Sequence, residues 1–202
     1  MLNLIEIIKT IILGIIEGVT EWLPISSTGH LILVNEIIQL DVSAKFQEMF
    51  NVVIQLGAIM AVVLVYFNKL NPFAKSKNRK EFIETISLWK KVIIGCIPAV
   101  LLGFVLDDFM DDYFNKPIVI ALALIVYGIA FIYIERAHKN VEPKINDFKE
   151  LDFMTAIKIG LFQCLALVPG TSRSGSTILG GLLVGTSRSI ATEFSFFMGI
   201  PI

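Results

Sequence analysis

Residues 14–33 read GIIEGVTEWLPISSTGHLIL, and residues 160–179 read GLFQCLALVPGTSRSGSTIL. Set one under the other without gaps, Gly14 meets Gly160, Ser26 meets Ser172, Gly29 meets Gly175, and Ile32-Leu33 meets Ile178-Leu179. Each copy is apolar, breaks around a proline (Pro24, Pro169), runs through Ser, Thr and Gly, and turns apolar again. Together they place Glu17, Glu21, His30 and Arg173 in hydrophobic surroundings. A charged side chain in hydrocarbon costs roughly 2.5–3.5 kcal/mol on insertion scales, so residues of this kind are functional candidates by default.

The chain around these copies is 202 residues, 55% hydrophobic, with a mean hydropathy of +0.75. Apolar runs this long and numerous exclude a soluble domain and predict an all-α integral membrane protein. A net charge of −1 by itself says nothing about nucleic acid, but no basic domain stands apart from the membrane segments, and no nucleic-acid partner is expected. Cys96 and Cys164 both lie in apolar segments and read as packing residues rather than a disulfide. The first apolar run lacks a basic leader and a small-residue cleavage site, so it reads as mature protein. The last residues, Gly199 to Ile202, lie inside an apolar segment with no polar flank, and the C-terminus is expected to be truncated.

Three further apolar stretches, Phe50–Phe67, Val92–Leu106 and Ile118–Ile134, are each roughly long enough to cross a bilayer. Their loops assign the sides. Lys69, Lys75, Lys77, Arg79, Lys80, Lys90 and Lys91 separate the first two, and Arg136, Lys139, Lys144, Lys149 and Lys158 follow the third. The loop between the second and third carries Asp107, Asp108, Asp111 and Asp112 against Lys116 alone. The basic segments belong in the cytoplasm and the acidic one outside. Leu4–Ile16, at thirteen residues or about 20 Å of helix, falls short of a ~30 Å core, breaks at Pro24, and returns as Leu31–Ile38. The expectation is one membrane domain over residues 1–202. Residues 1–38 form a re-entrant helix–loop–helix from the outer side, and residues 50–134 three transmembrane spans. Residues 156–202 hold a second re-entrant copy, Ala156–Leu183, from the inner side and the start of a further span. An odd number of crossings separates the copies, so they form an inverted-topology repeat, a known way to build a polar site at the midplane. Non-helical backbone at that depth requires burial in protein or a wet cavity.

Glu17 and Glu21 are four residues apart and share a helix face. Two such carboxylates either share a proton or bind a cation; the bland alternative is a pair of solvated glutamates at a helix end. His30 follows Ser26-Ser27-Thr28-Gly29, within reach of hydroxyls and carboxylates, and its reference pKa near ~6.5 suits base or nucleophile work. Carboxylate, histidine and hydroxyl together make the general arrangement for an activated nucleophile. Gly170, Ser172, Arg173, Ser174 and Thr177 belong to a Gly/Ser/Thr loop that opens a helix. Helix-terminal N–H groups and an arginine fork suit a phosphate; a small-residue helix contact with Arg173 paired to a glutamate is the alternative. The P-loop pattern G-x-x-x-x-G-K-[ST] is absent.

These residues resemble the undecaprenyl-diphosphate phosphatase family of the bacitracin-resistance type. Its first motif, E-G-x-T-E-[FW]-L-P-[IV]-S-S-x-[GA]-H-L, is met from Glu17 to Leu31, and its second, P-G-x-S-R-S-G-x-T, from Pro169 to Thr177. FNVVIQLG at 50–57 and FSFFMGIP at 194–201 also look like family segments. The resemblance implies hydrolysis of the terminal phosphate of a C55 isoprenyl diphosphate at the outer face of the bacterial inner membrane. This regenerates the lipid carrier of cell-wall synthesis and confers bacitracin resistance. It also implies dependence on a divalent cation; Glu17 and Glu21 are expected either to hold that Mg²⁺ or Ca²⁺ or to orient water and His30. Glu17, Glu21, Ser27, His30 and Arg173 then form the expected catalytic set. Ser26, Thr28, Gly170, Ser172, Ser174 and Thr177 bind substrate. Membrane lipids surround the chain, and a homodimer is a possible assembly. Ser27, His30 and water are all candidates for the attacking group. An inverted-repeat transporter or flippase for a lipid phosphate is the alternative from another class, set back by the presence of a nucleophile and base that transport does not need.

Overall fold

The computed structural model describes residues 3–114 and 116–202, with the side chains of residues 107, 108, 111 and 112 outside the description. The backbone of the acidic segment expected as an outer loop is helical as far as Phe114, while the side chains of Asp107, Asp108, Asp111 and Asp112, expected to be solvated, lie outside the description. Helices make up the rest: α1 (Leu4–Trp22), α2 (Ser27–Asn35), α3 (Ala44–Val65), a single turn α4 (Phe67–Leu70), α5 (Arg79–Phe114), α6 (Pro117–His138), α7 (Phe153–Gln163), α8 (Arg173–Leu183) and α9 (Arg188–Met198). A 3₁₀ turn, Cys164–Leu167, extends α7. Among the described residues there is no β-strand, only an isolated bridge between Ile145 and Thr186.

This is a membrane protein. Ala44–Val65, Arg79–Leu106 and Pro117–His138 are long and apolar enough to cross a bilayer. Their outer faces are unpartnered side chains such as Val52, Phe104 and Val126. α3 and α6 bury little of their apolar surface against the rest of the chain. The protein core instead lies where α5, α7 and α9 meet, with Val92, Ile159, Phe194, Phe197 and Met198 fully enclosed. Gly95 of α5 and Gly160 of α7 make that approach: a Cβ on Gly160 would lie 1.9 Å from the Gly95 carbonyl oxygen. Small residues of this kind let membrane helices touch backbone to backbone.

Two helix boundaries differ from expectation. α1 does not stop near Ile16 but runs 19 residues to Trp22, about 28 Å. Glutamate is a good helix former, and Glu17 is buried rather than at a helix end, so the helix continues until Pro24 excludes the helical conformation for Leu23. α5 begins at Arg79, well before its apolar stretch, and carries Pro98 inside.

Both broken segments are closed hairpins. At the open end of the first, Lys9 Nζ donates to the Gln39 carbonyl (2.7 Å) and the Asp41 N–H to Glu6 Oε2 (3.2 Å). At the open end of the second, the Lys144 and Ile145 N–H groups donate to the Gly185 carbonyl (2.8 and 3.1 Å), and the Ser187 N–H to the Ile145 carbonyl (2.8 Å). Hydrogen bonds thus join α1 to the segment after α2, and the segment before α7 to the segment after α8. The two basic segments also lie together: Lys91 Nζ donates to the Phe148 carbonyl (2.7 Å), and Lys149 pairs with Glu84 (3.2 Å).

Candidate active site

The sequence repeat is also a repeat of local structure. Ser26 caps α2 and Ser172 caps α8, each with its hydroxyl oxygen accepting from the glycine N–H three residues on, Gly29 (3.3 Å) and Gly175 (3.1 Å). The carbonyl of each cap accepts from the backbone N–H of the residue four on, His30 (3.2 Å) or Ser176 (2.9 Å). It accepts from that residue's side chain too, His30 Nδ1 at 2.8 Å and Ser176 Oγ at 2.9 Å. Both glycines abut α6. A Cβ would meet Leu124 at 3.0 Å from Gly29, and the Tyr127 hydroxyl at 1.6 Å from Gly175.

The tips of the hairpins meet at Glu21. Arg173 Nη2 donates to Glu21 Oε1 at 2.7 Å, and Ser27 Oγ donates to Glu21 Oε2 at 2.7 Å. Ser27 and Arg173 are the first residues of α2 and α8 and occupy the same place in the repeat. One carboxylate therefore sits between the N-termini of two helices, held by the leading side chain of each. Such termini favour anions, and Glu21 takes the place of one. Arg173 Nη1 also donates to the Ser195 carbonyl of α9 (3.3 Å), and its guanidinium lies on Gly199, where a Cβ would come within 2.5–2.7 Å of it. The arginine is thus flattened against backbone and aimed at the hairpin junction.

The backbone is shaped to present these groups. Ser26 has φ +68°, alone among the described non-glycine residues in the left-handed region. Such a conformation costs about 1–3 kcal/mol and collects at functional sites. Gly170, two residues before the Ser172 cap, takes a positive φ (+92°) in the second copy, against the Ile120 carbonyl, which a Cβ would approach to 2.8 Å.

The other candidate residues divide around this centre. Glu17 is buried one turn before Glu21, its Oε2 without a hydrogen-bond partner. His30 is half-buried; because a carbonyl can only accept, its Nδ1 is the donor to the Ser26 carbonyl, which leaves Nε2 free of that bond. It makes no hydrogen bond to Ser26 Oγ, Ser27 or either glutamate: the hydroxyl meets its carboxylate directly. Ser174 lies against Glu21, its hydroxyl 3.5 Å from the Glu21 carbonyl and 3.2 Å from Ser172 Oγ. Thr28 is exposed. Thr177 is fully buried, its hydroxyl 2.6 Å from Ser195 Oγ and 3.0 Å from the Arg173 and Ser174 carbonyls, so it braces the loop from behind. Ser195 and Gly199, which complete the seat of Arg173, escaped sequence reasoning because a serine and a glycine in an apolar run signal helix packing. The FSFFMGIP stretch that holds them was the only pointer.

Residues 10–202 match the family described as Bacitracin resistance protein BacA. The chain belongs to the BacA family. Relatives agree in kind. The undecaprenyl-diphosphatase of Enterococcus faecalis (strain ATCC 700802 / V583) is 61% identical over 194 residues, 96% of this chain and 70% of that protein. The undecaprenyl-diphosphatases of Streptococcus mutans serotype c and Limosilactobacillus fermentum are 60% and 57% identical over 198 residues, 98% of this chain and 70% and 72% of theirs. In this BacA-family chain the donor set suits a hard divalent cation. Mg²⁺ is usually held by one or two carboxylates together with phosphate oxygens. Glu17 Oε2 has no partner, whereas both oxygens of the neighbouring Glu21 are engaged by Arg173 and Ser27. Among the described residues no cluster of three or more His, Cys, Asp or Glu side chains forms a closed cage.

Proposed function

We infer that this chain is an undecaprenyl-diphosphatase that removes the terminal phosphate of the C55 isoprenyl diphosphate and returns the lipid monophosphate to cell-wall synthesis. The observation that carries the reading is the Glu21 carboxylate held by Ser27 and Arg173 between two helix N-termini. This arrangement supports a phosphate site in which the Ser27 hydroxyl is the nucleophile.

In the substrate-free protein Glu21 neutralises Arg173. A diphosphate competes for the guanidinium, whose fork matches it bidentately. Glu21 then loses its counter-charge and is left bonded to the Ser27 hydroxyl, ready to accept its proton. Ser27 Oγ attacks the terminal phosphorus, the anhydride P–O bond breaks, and the C55 monophosphate leaves. His30 Nε2, with its lone pair free, acts as base for the water that releases phosphate from Ser27. Arg173 and the α2 and α8 N-termini stabilise the transferring group's charge. A divalent cation held by Glu17 and Glu21 would add charge neutralisation at the diphosphate. The transporter reading is set aside, because relatives this similar are named for the hydrolase.

The hairpins support an inverted-topology repeat. Each is closed at one end, the two are separated by the three crossing helices, and their tips meet. With the basic segments in the cytoplasm, the first hairpin opens outward and the site faces the outer side. Cysteines at Ala44 and Met110 should react with an impermeant thiol reagent from outside intact cells, and one at Ser76 should not. Reversed labelling would overturn this topology.

The activity is tested by giving purified protein farnesyl diphosphate and measuring inorganic phosphate. Wild type should release it in a cation-dependent way. Glu17→Gln should shift the cation dependence to higher concentration, with excess cation restoring part of the rate. No phosphate release by folded wild type would reject the function. A Glu17→Gln loss insensitive to cation would instead assign Glu17 to orienting water or His30.

A further inference from the structure

The repeat pairs Glu17 with Gln163, and the two are alike in place and oddity. Each lies three residues after the glycine that opens its copy, Gly14 or Gly160, and so on the same helix face as that glycine. Each is 2% exposed. Glu17 leaves Oε2 without a partner; Gln163 leaves both Oε1 and Nε2 without one. A buried carboxamide with neither end bonded is uncommon and calls for an explanation. Gln163 and Arg173 both lie around the Cys96 thiol. The thiol lies beside the Gln163 amide but donates instead to the Met198 carbonyl (3.4 Å). The next residue, Gly199, is the one the guanidinium rests on. The carboxamide is therefore linked to the seat of the arginine through Cys96, Met198 and Gly199.

We propose that Gln163 is a substrate-binding residue of the phosphatase site: its carboxamide N–H donates to a phosphate oxygen when the diphosphate draws Arg173 away from Glu21. The inference rests on the hydrolase reading above and adds a ligand to that site. The divergence of the two copies explains the residue type. At matching positions the first copy has Glu17, Glu21 and Ser27, with two negative charges, and the second has Gln163, Leu167 and Arg173, with one positive charge. The first half is equipped for a cation and a proton, the second for an anion. A carboxylate at 163 would repel the phosphate that an amide can bind.

Gln163→Met, nearly equal in size and apolar, separates binding from packing, with Gln163→Leu as a second variant. The expected result is a rise in KM for farnesyl diphosphate and in the Kd for inorganic pyrophosphate. Each should be about ten- to hundredfold, the range of one hydrogen bond to a charged group. The ligand-free melting temperature should stay at or above that of wild type, because an unpaired polar group has been removed. Wild-type pyrophosphate affinity in the folded Met variant would overturn the proposal. So would weakened affinity accompanied by a lower ligand-free melting temperature in both variants, which is the signature of a packing role. A wild-type protein that binds pyrophosphate but releases no phosphate from farnesyl diphosphate would fail the hydrolase reading. The binding comparison would still decide Gln163.

Discussion

Arg173→Lys should lose turnover nearly as completely as Arg173→Ala, with kcat/KM down about 10²–10⁴-fold. That is what two charge-assisted hydrogen bonds at roughly 1.5–3 kcal/mol each amount to. The guanidinium spans two elements at once, Glu21 through Nη2 and Ser195 through Nη1, while lying flat on Gly199. An ammonium carries the same charge but has a single nitrogen, so it cannot hold a phosphate bidentately. Gly199→Ala tests the same seat without touching the charge: the new methyl occupies guanidinium space and should cost activity through misplacement alone. Near-normal turnover of Arg173→Lys would reduce Arg173 to a generic counter-ion.

Ser27→Ala should be at least as damaging as His30→Ala, itself expected to lose the ~10²–10⁴-fold typical of a general base. The hydroxyl of Ser27 already donates to Glu21, whereas His30 bonds only the Ser26 carbonyl. Acid quench of wild type during turnover should trap phosphoserine at position 27. His30→Ala should let that intermediate accumulate, because removal of the base slows the water step. Measurable turnover in Ser27→Ala, with no phosphoserine in wild type, would move the attack to His30 or water.

Much of this centre is visible in the sequence, for identifiable reasons. The hairpin breaks follow from Pro24 and Pro169, and the N-caps from Ser26 and Ser172 three residues before a glycine. The arginine in a Gly/Ser loop opens a helix as expected, and in the substrate-free chain it pairs with a glutamate, the alternative its sequence also allowed. The three crossing helices follow from hydropathy. Hydropathy failed at helix ends because it reports immersion in lipid rather than helix length, so α1 was cut short at Ile16 and the polar start of α5 was missed. Which glutamate meets Arg173 was hidden as well. Glu17 and Glu21 share a helix face, and only the packing of one hairpin tip on the other selects Glu21. The inward turn of the Thr177 hydroxyl depends on Ser195, eighteen residues away on another helix. Gln163 is invisible to a search for charges, since its meaning lies in what it replaces.

The central claim, that two hairpins 146 residues apart in register build one catalytic unit, is tested most directly by a double-mutant cycle on Glu21 and Arg173. kcat/KM for farnesyl diphosphate would be measured in wild type, Glu21→Gln, Arg173→Lys and the double variant. Residues acting as a unit are non-additive, so the double variant should lose no more than about as much as the worse single one. Losses that multiply would mean that the two residues act independently, and would contradict a shared site.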